Sequence, residues 1–201
     1  HAVESEVREK LKTLLLDAIY QYVYFHCIPG PLSVYEGISK LPGGHSLTWD
    51  GSAAKVERYW QPAFQDQERM SENDASTELH RLLHAAVRRS IGGQTAFGAF
   101  LSGGLDSSTV TGLAAGLCPK MPSVTMGFDA AGYDEMEFAR IASRRFGTTP
   151  LEYYVTPAAL LRNLAEVAAT FPEPFGNSSA AAAFHCARIA RDHGIDLLLA
   201  G

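Results

Sequence analysis

The residues whose types and spacing best suit chemistry lie together at Ser102-Gly103-Gly104-Leu105-Asp106-Ser107-Ser108. Three hydroxyls, two glycines and a carboxylate within one short stretch suit a loop that holds an anion. Glycine permits positive φ and close backbone approach, and the N–H groups that open a helix point outward from such a loop. The flanks supply that setting. Residues 96–101 form an apolar run, and Leu105, Val110, Leu113, Ala114 and Leu117 recur at helical spacing, so the stretch reads strand, tight loop, helix. No Gly-Lys-Ser/Thr closes the loop and no lysine stands ready to bridge phosphates, which separates it from a Walker A motif. The same residues also suit a plain glycine turn with Ser or Asp as helix cap.

The elements that must position this loop follow from periodicity. Residues from about 4 to 26 read as a helix with Val7, Leu11, Leu14, Leu15, Ala18, Ile19 and Tyr22 on one stripe, broken at Cys27 to Pro31. Short runs at 46–49 and 55–60 around Asp50-Gly51 predict a hairpin. A polar stretch over 61–74 reads as a linker between an appendage (1–60) and a main domain (75–201). Within the main domain, helices are predicted at 75–91, 107–117, 134–146, 157–169 and 178–193, with strands at 95–101, 122–128, 151–155 and 195–200. That alternation predicts an α/β fold: a doubly wound parallel sheet with helices on both faces and ligands at the carboxyl ends of the strands.

Composition bounds the function. The chain has 201 residues, 46% hydrophobic and 19% charged, as expected of a globular α/β protein, and a formal net charge of −5 without a Lys/Arg run argues against a nucleic-acid partner. Cys27, Cys118 and Cys186 stand far apart with no Cys-x-x-Cys pair, which points to reduced thiols and a cytoplasmic location. No apolar run approaches the ~20 residues that cross a bilayer, so no membrane partner is expected. The chain opens at His1 rather than Met and stops at Gly201 directly after the apolar run 195–200, so it is expected to be a segment of a longer polypeptide.

The loop resembles the pyrophosphate loop of ATP pyrophosphatases. Three further stretches narrow the resemblance: Thr125-Met126-Gly127-Phe128-Asp129, then Tyr133-Asp134-Glu135 with Ala139-Arg140-Ile141-Ala142 and Phe146-Gly147-Thr148, and Glu173-Pro174-Phe175-Gly176-Asn177-Ser178-Ser179. Together they are similar to the synthetase domain of glutamine-hydrolysing asparagine synthetases, and residues 32–60 resemble the segment that joins the glutaminase domain to it. The resemblance implies an adenine nucleotide alpha hydrolase-like fold and an ATP-dependent amidotransferase, a ligase. A substrate carboxylate, by default aspartate, would be adenylated with release of pyrophosphate and then converted to an amide. Ser102, Gly103, Gly104, Asp106, Ser107 and Ser108 would hold the β- and γ-phosphates, with Asp106 as Mg²⁺ ligand between its own charge and theirs. Leu101, Met126 and Gly127 would frame adenine and ribose, although Met126 equally suits core packing. Glu173, Ser178 and Ser179 would line the carboxylate-substrate pocket, or cap and terminate helices.

Departures from the family pattern bear on the acceptor. Aspartate-using relatives can carry threonines and an arginine where this chain has Ser178-Ser179 and then Ala180 to Ala183, so a β-lactam- or macrocycle-forming type of acceptor stays open, as does a non-catalytic nucleotide-binding module. The family's glutaminase nucleophile is a cysteine that begins the mature protein, which internal Cys27 is not, and its second acidic loop would follow Gly201. No catalytic residue is therefore assigned within this segment, which alone is expected to bind nucleotide weakly and not to turn over. A glutaminase domain outside the segment is the expected ammonia source, and the sheet edge after Leu199 invites a second copy, a homodimer. His80 and His84 are four apart but lack a His-Glu-x-x-His carboxylate and read as surface residues; His45 reads as part of a turn. Tyr20, Tyr22, Tyr24 and Phe25 are either a contact face or helix core, and only the former predicts an exposed apolar patch.

Overall fold

The computed structural model describes residues 13–64, 70–128, 134–177 and 179–201. Packing divides the chain into two units, His1–Glu68 with Ala168–Asn177, and Arg69–Val167 with Ser178–Gly201.

Of the helix predicted over about 4–26, the part over 4–12, with Val7 and Leu11, lies outside the described residues, and the part within the first unit is interrupted before Leu16. Helix α1 runs Leu16–Phe25, whereas Thr13 to Leu15 are extended: Leu15 N–H donates to Val34 O at 2.9 Å, Glu36 N–H donates to Thr13 O at 3.0 Å, and Leu14 bridges Tyr35. Backbone groups that would have continued the helix are taken by a distant strand-like segment. The part of the predicted stripe within α1 does turn inward, Ala18, Ile19 and Tyr22 packing with Ile28 and Val34. Its opposite face leaves Leu16, Tyr20, Val23 and Tyr24 exposed, so the tyrosines divide between core and an apolar surface patch.

Strands β1 (His45–Trp49) and β2 (Ala54–Arg58) form the predicted antiparallel hairpin, in register from His45 opposite Arg58 to Trp49 opposite Ala54. Asp50 Oδ1 closes the turn by accepting from the backbone N–H groups of Ala53 and Ser52 and from Ser52 Oγ, each at 2.8 Å. Those bonds hold its carboxyl below the usual range. His45 Nδ1 donates to Gly43 O at 2.9 Å, the turn role expected of it.

The second unit contains α2 (Glu72–Ile91), β3 (Phe97–Phe100), α3 (Leu105–Leu117), β4 (Pro122–Phe128), α4 (Met136–Phe146), β5 (Thr149–Val155), most of α5 (Pro157–Ala169), α6 (Ser179–Asp192) and β6 (Leu197–Leu199). Ser71 caps α2 by accepting from Asp74 N–H. The strands form one parallel sheet in the order β5-β4-β3-β6.

Period-two alternation feeds two cores. Phe97, Ala99 and Leu199 pack with Val87 and Ile91 of α2 and Ala114 and Ala115 of α3. Phe100, Val124, Met126, Leu151 and Leu198 pack with Cys186 and Ala190 of α6. Helices therefore cover both faces, as the alternation of elements predicts. The chain steps from β3 to β4 on one side and returns through α6 to β6 on the other, which makes the carboxyl end of β3 a topological switch point.

Gly98 in β3 has no room for a side chain: a Cβ there would lie 2.8 Å from Pro122 O and 3.4 Å from Leu198 Cδ2. Gly98→Val is expected to cost about 1–3 kcal/mol through overpacking. Urea unfolding would show a lower midpoint at unchanged slope.

Candidate functional site

Leu101, the residue after β3, has a fixed seat. It is 2% exposed, its N–H donates to Val124 O at 3.0 Å, and its carbonyl accepts from buried Thr125 Oγ1 at 2.8 Å. The chain then turns through Ser102 and Gly103, and Gly104 is the N-cap of α3. Gly103 has φ +85°, and a Cβ on it would lie 2.5 Å from Phe138 Cβ and 2.6 Å from Ala139 N, so α4 packs directly on the loop. Gly104 makes no side-chain cap, while Ser102, Gly104 and Asp106 are exposed.

The loop hydroxyls bond one another. Ser102 Oγ lies 3.0 Å from Ser107 Oγ and accepts from Gly104 N–H at 3.2 Å, and Ser107 Oγ accepts from Ser102 N–H at 3.2 Å. Ser108 N–H is committed to Gly104 O at 3.0 Å. Gly201 lies against the same turn, where a Cβ would be 2.6 Å from Ser107 N. The ends of β3 and β6 thus meet at the start of α3, where helix N–H groups favour an anion.

Beside the loop opens a cavity of about 760 Å³ lined by Leu101, Ser102, Met126, Phe128, Glu135, Ser179, Cys186 and further apolar side chains of β3, β4, α5 and α6. Of the sequence-predicted residues, Leu101, Ser102, Met126 and Ser179 share this cavity, and Gly104, Asp106, Ser107 and Ser108 adjoin it at the loop. Gly127 is not among the lining residues, although its neighbours Met126 and Phe128 are. The space its missing side chain would fill is occupied by Tyr154 Cε1, 2.6 Å from the Cβ position, and Asp134 Oδ1, 2.9 Å from it. Asp134 in turn accepts from Tyr154 OH and from Met136 N–H, each at 3.3 Å. Burial and the Asp134 charge push the Tyr154 phenol up, keeping it a donor.

Glu173 lies in the first unit, where Oε1 accepts from Val34 N–H at 2.8 Å and Oε2 pairs with Lys40. Ser178 lies outside the described residues. Sequence reasoning missed Glu135 as a cavity residue; its signal was the Tyr133-Asp134-Glu135 stretch before α4. His80 and His84 are exposed, and among the described residues no three His, Cys, Asp or Glu side chains gather as a metal site. No helix among them is long and apolar enough to cross a membrane.

The sequence profile of the asparagine synthase family matches residues 78–201, which include the loop and all of the parallel sheet. The chain belongs to the asparagine synthase family. A Mycobacterium tuberculosis protein provisionally named a glutamine-hydrolysing asparagine synthetase is 27% identical over 188 residues, 92% of this chain and 29% of its own length. A similarly named Methanocaldococcus jannaschii protein is 28% identical over 190 residues, 93% of this chain and 36% of its own. Glutamine-hydrolysing asparagine synthetase 1 of Bacillus subtilis is 23% identical over 179 residues, 88% of this chain and 28% of its own. The chain thus spans between 28% and 36% of these family members. Among solved structures, NH3-dependent NAD synthetase from Campylobacter jejuni, in complex with nitrate, aligns at TM-score 0.40 and 14% identity over 60% of this chain and 50% of its own.

Two tests follow from the geometry of this family loop. Gly103→Ala is expected to cost about 2 kcal/mol or more, because positive φ and the α4 backbone both oppose a methyl group. Gly104→Ala, at φ −68° and facing only Ser102 Oγ at 3.3 Å, should cost less than about 1 kcal/mol. Thermal or urea melts of the pair check the contrast. At the cavity, burial pushes the Cys186 thiol up to about 11. A raised value leaves about one thiol in a thousand ionised at pH 8, so alkylation of Cys186 should rise about tenfold per pH unit up to pH 10. Mass spectrometry of iodoacetamide-treated chain, with exposed Cys27 as the faster internal reference, reads this.

Proposed function

We propose that this chain supplies the nucleotide-binding part of an ATP-dependent ligase that activates a carboxylate and converts it to an amide. The supporting observation is the Ser102–Ser108 loop at the switch point of a parallel sheet, beside an apolar cavity, in a member of the asparagine synthase family. In this reading a carboxylate oxygen bonds to the α-phosphorus of ATP, the α–β bridging bond breaks, pyrophosphate leaves, and an amine or ammonia then displaces AMP from the acyl carbon.

The residues divide that work. Ser102 and Ser107 exchange their mutual hydroxyl bonds for phosphate oxygens, and the uncapped start of α3 adds backbone donors, so charge building on the leaving pyrophosphate meets preorganised partners. Asp106 is exposed at that turn and fits a Mg²⁺ ion, which takes one or two carboxylates and completes its shell with phosphate oxygens and water. Leu101 and Met126 offer apolar surface to the base. Aspartate is the default acceptor. A second reading, a carboxylate with an apolar body, is favoured by the α6 wall: Ser179, Ala181, Ala182, Ala183 and Cys186 bring no cation to the cavity. Relatives are named for glutamine hydrolysis, and a glutaminase domain of the whole protein would deliver the ammonia. The exposed face of α1 is the surface we assign to its contact.

Calorimetric titration with Mg-ATP tests the reading. The wild-type chain should bind, and Asp106→Ala or the pair Ser107→Ala with Ser108→Ala should weaken binding about tenfold or more. No heat from a folded wild-type chain, or equal affinity in every variant, would remove the nucleotide assignment. Binding with no pyrophosphate release from the whole protein under any added carboxylate would leave a nucleotide-binding module in place of a ligase.

A further inference from the structure

Glu135 is the one ionisable carboxylate among the described residues that line the cavity, whose other lining side chains are apolar apart from Ser102, Ser179 and the thiol of Cys186. Its position is determined by its neighbours. Asp134 is tied to Tyr154 OH and to Met136 N–H, Met136 is 1% exposed, and Glu135 O accepts from Ala139 N–H at 3.1 Å. Ala139 and Phe138 are the residues that press on Gly103. Glu135 therefore stands one helical turn from the residues that press on the loop, exposed on the wall of a cavity that Ser102 lines from the loop and Val124, Met126 and Phe128 line from β4.

A carboxylate accepts hydrogen bonds and repels phosphate. Phosphates must keep to the Ser102–Ser108 side, and a base, with its flat apolar faces, belongs in the interior. The part of a nucleotide that joins these two is the ribose, which carries two neighbouring hydroxyl donors. We infer that Glu135 accepts from the ribose hydroxyls and makes the site select ribonucleotides over deoxyribonucleotides. This rests on the nucleotide reading above and adds to it a specificity-determining residue.

The test is calorimetric titration of the chain, with Mg²⁺ present, by ATP, 2′-deoxyATP, 3′-deoxyATP and ITP, for wild type, Glu135→Gln and Glu135→Ala. Wild type should prefer ATP over at least one deoxynucleotide by about tenfold or more, the worth of a hydrogen bond to a charged group. In Glu135→Ala the ratio should fall close to one through loss of ATP affinity, with deoxyATP affinity nearly unchanged. Glu135→Gln, which keeps a neutral acceptor, should fall between. An unchanged ratio in Glu135→Ala overturns the inference while leaving nucleotide binding intact. Loss of discrimination between ATP and ITP, with ribose preference retained, overturns it in favour of a contact to the base edge. Absence of ATP binding to folded wild type removes both readings, and is distinguished by the missing wild-type signal.

Discussion

The carboxyl end of the sheet depends on how Leu101 is held. Its side chain is buried, its N–H is paired to β4 and its carbonyl is taken by the hydroxyl of Thr125, a buried polar group that needs a partner. With every group of that residue committed, β3 ends at one place and the next residues must leave the sheet. Gly103 makes that departure at positive φ and, being bare, lets α4 close on the turn. Strand end, loop and two helix starts are thereby coupled, so a change at any of them is felt by the loop hydroxyls.

The hydrogen bonds inside the loop suit an exchangeable site. Ser102, Gly104 and Ser107 satisfy one another with neutral bonds at 3.0–3.3 Å, near the surface, each worth about 1 kcal/mol net. Bonds to an ionised acceptor are roughly twice as strong. In the reading proposed above, an arriving anion would displace the internal set without prior unfolding. Rigid backbone with exchangeable hydroxyls is how such a site avoids a large ordering cost on binding.

Much of the sheet was legible because its signals are local. Residues 122–128 and 157–169 form the elements that their apolar periodicity predicts, and the loop could be placed between strand and helix from glycines and hydroxyls alone. Long-range choices were not legible. Nothing within residues 4–26 announces that Thr13 to Leu15 will pair with Val34 to Glu36 and so leave the helix at these three residues. Glu173 likewise reads as a substrate-pocket residue or a helix end, and nothing beside it in the sequence announces its bonds to Lys40 and the Val34 N–H. Gly127 reads as a place for close approach, which it is, but within this unit the approaching groups are Tyr154 and Asp134. Glu135 was overlooked for a related reason: an acidic residue before a helix is ordinary, and only the packing of α4 on Gly103 makes it part of a cavity wall.

Two carboxylates, Asp106 and Glu135, bear on how an acidic chain would hold an anion in the reading proposed above. Asp106 and Glu135 each stand at the start of a helix, α3 and α4, where the positive end of the helix dipole favours a negative charge at modest cost to the fold. Among the described residues neither is paired with a lysine or arginine. Their surroundings then separate their uses. Both are exposed, Asp106 at the loop, where a hard cation would reach it, and Glu135 on the wall of a largely apolar cavity, where neutral donors would suit a carboxylate. In the reading proposed above, loop and cavity would favour one orientation of a ligand, phosphates along the hydroxyls and the uncharged body against the apolar lining, because the reverse orientation would carry anionic oxygens past Glu135 into the apolar interior.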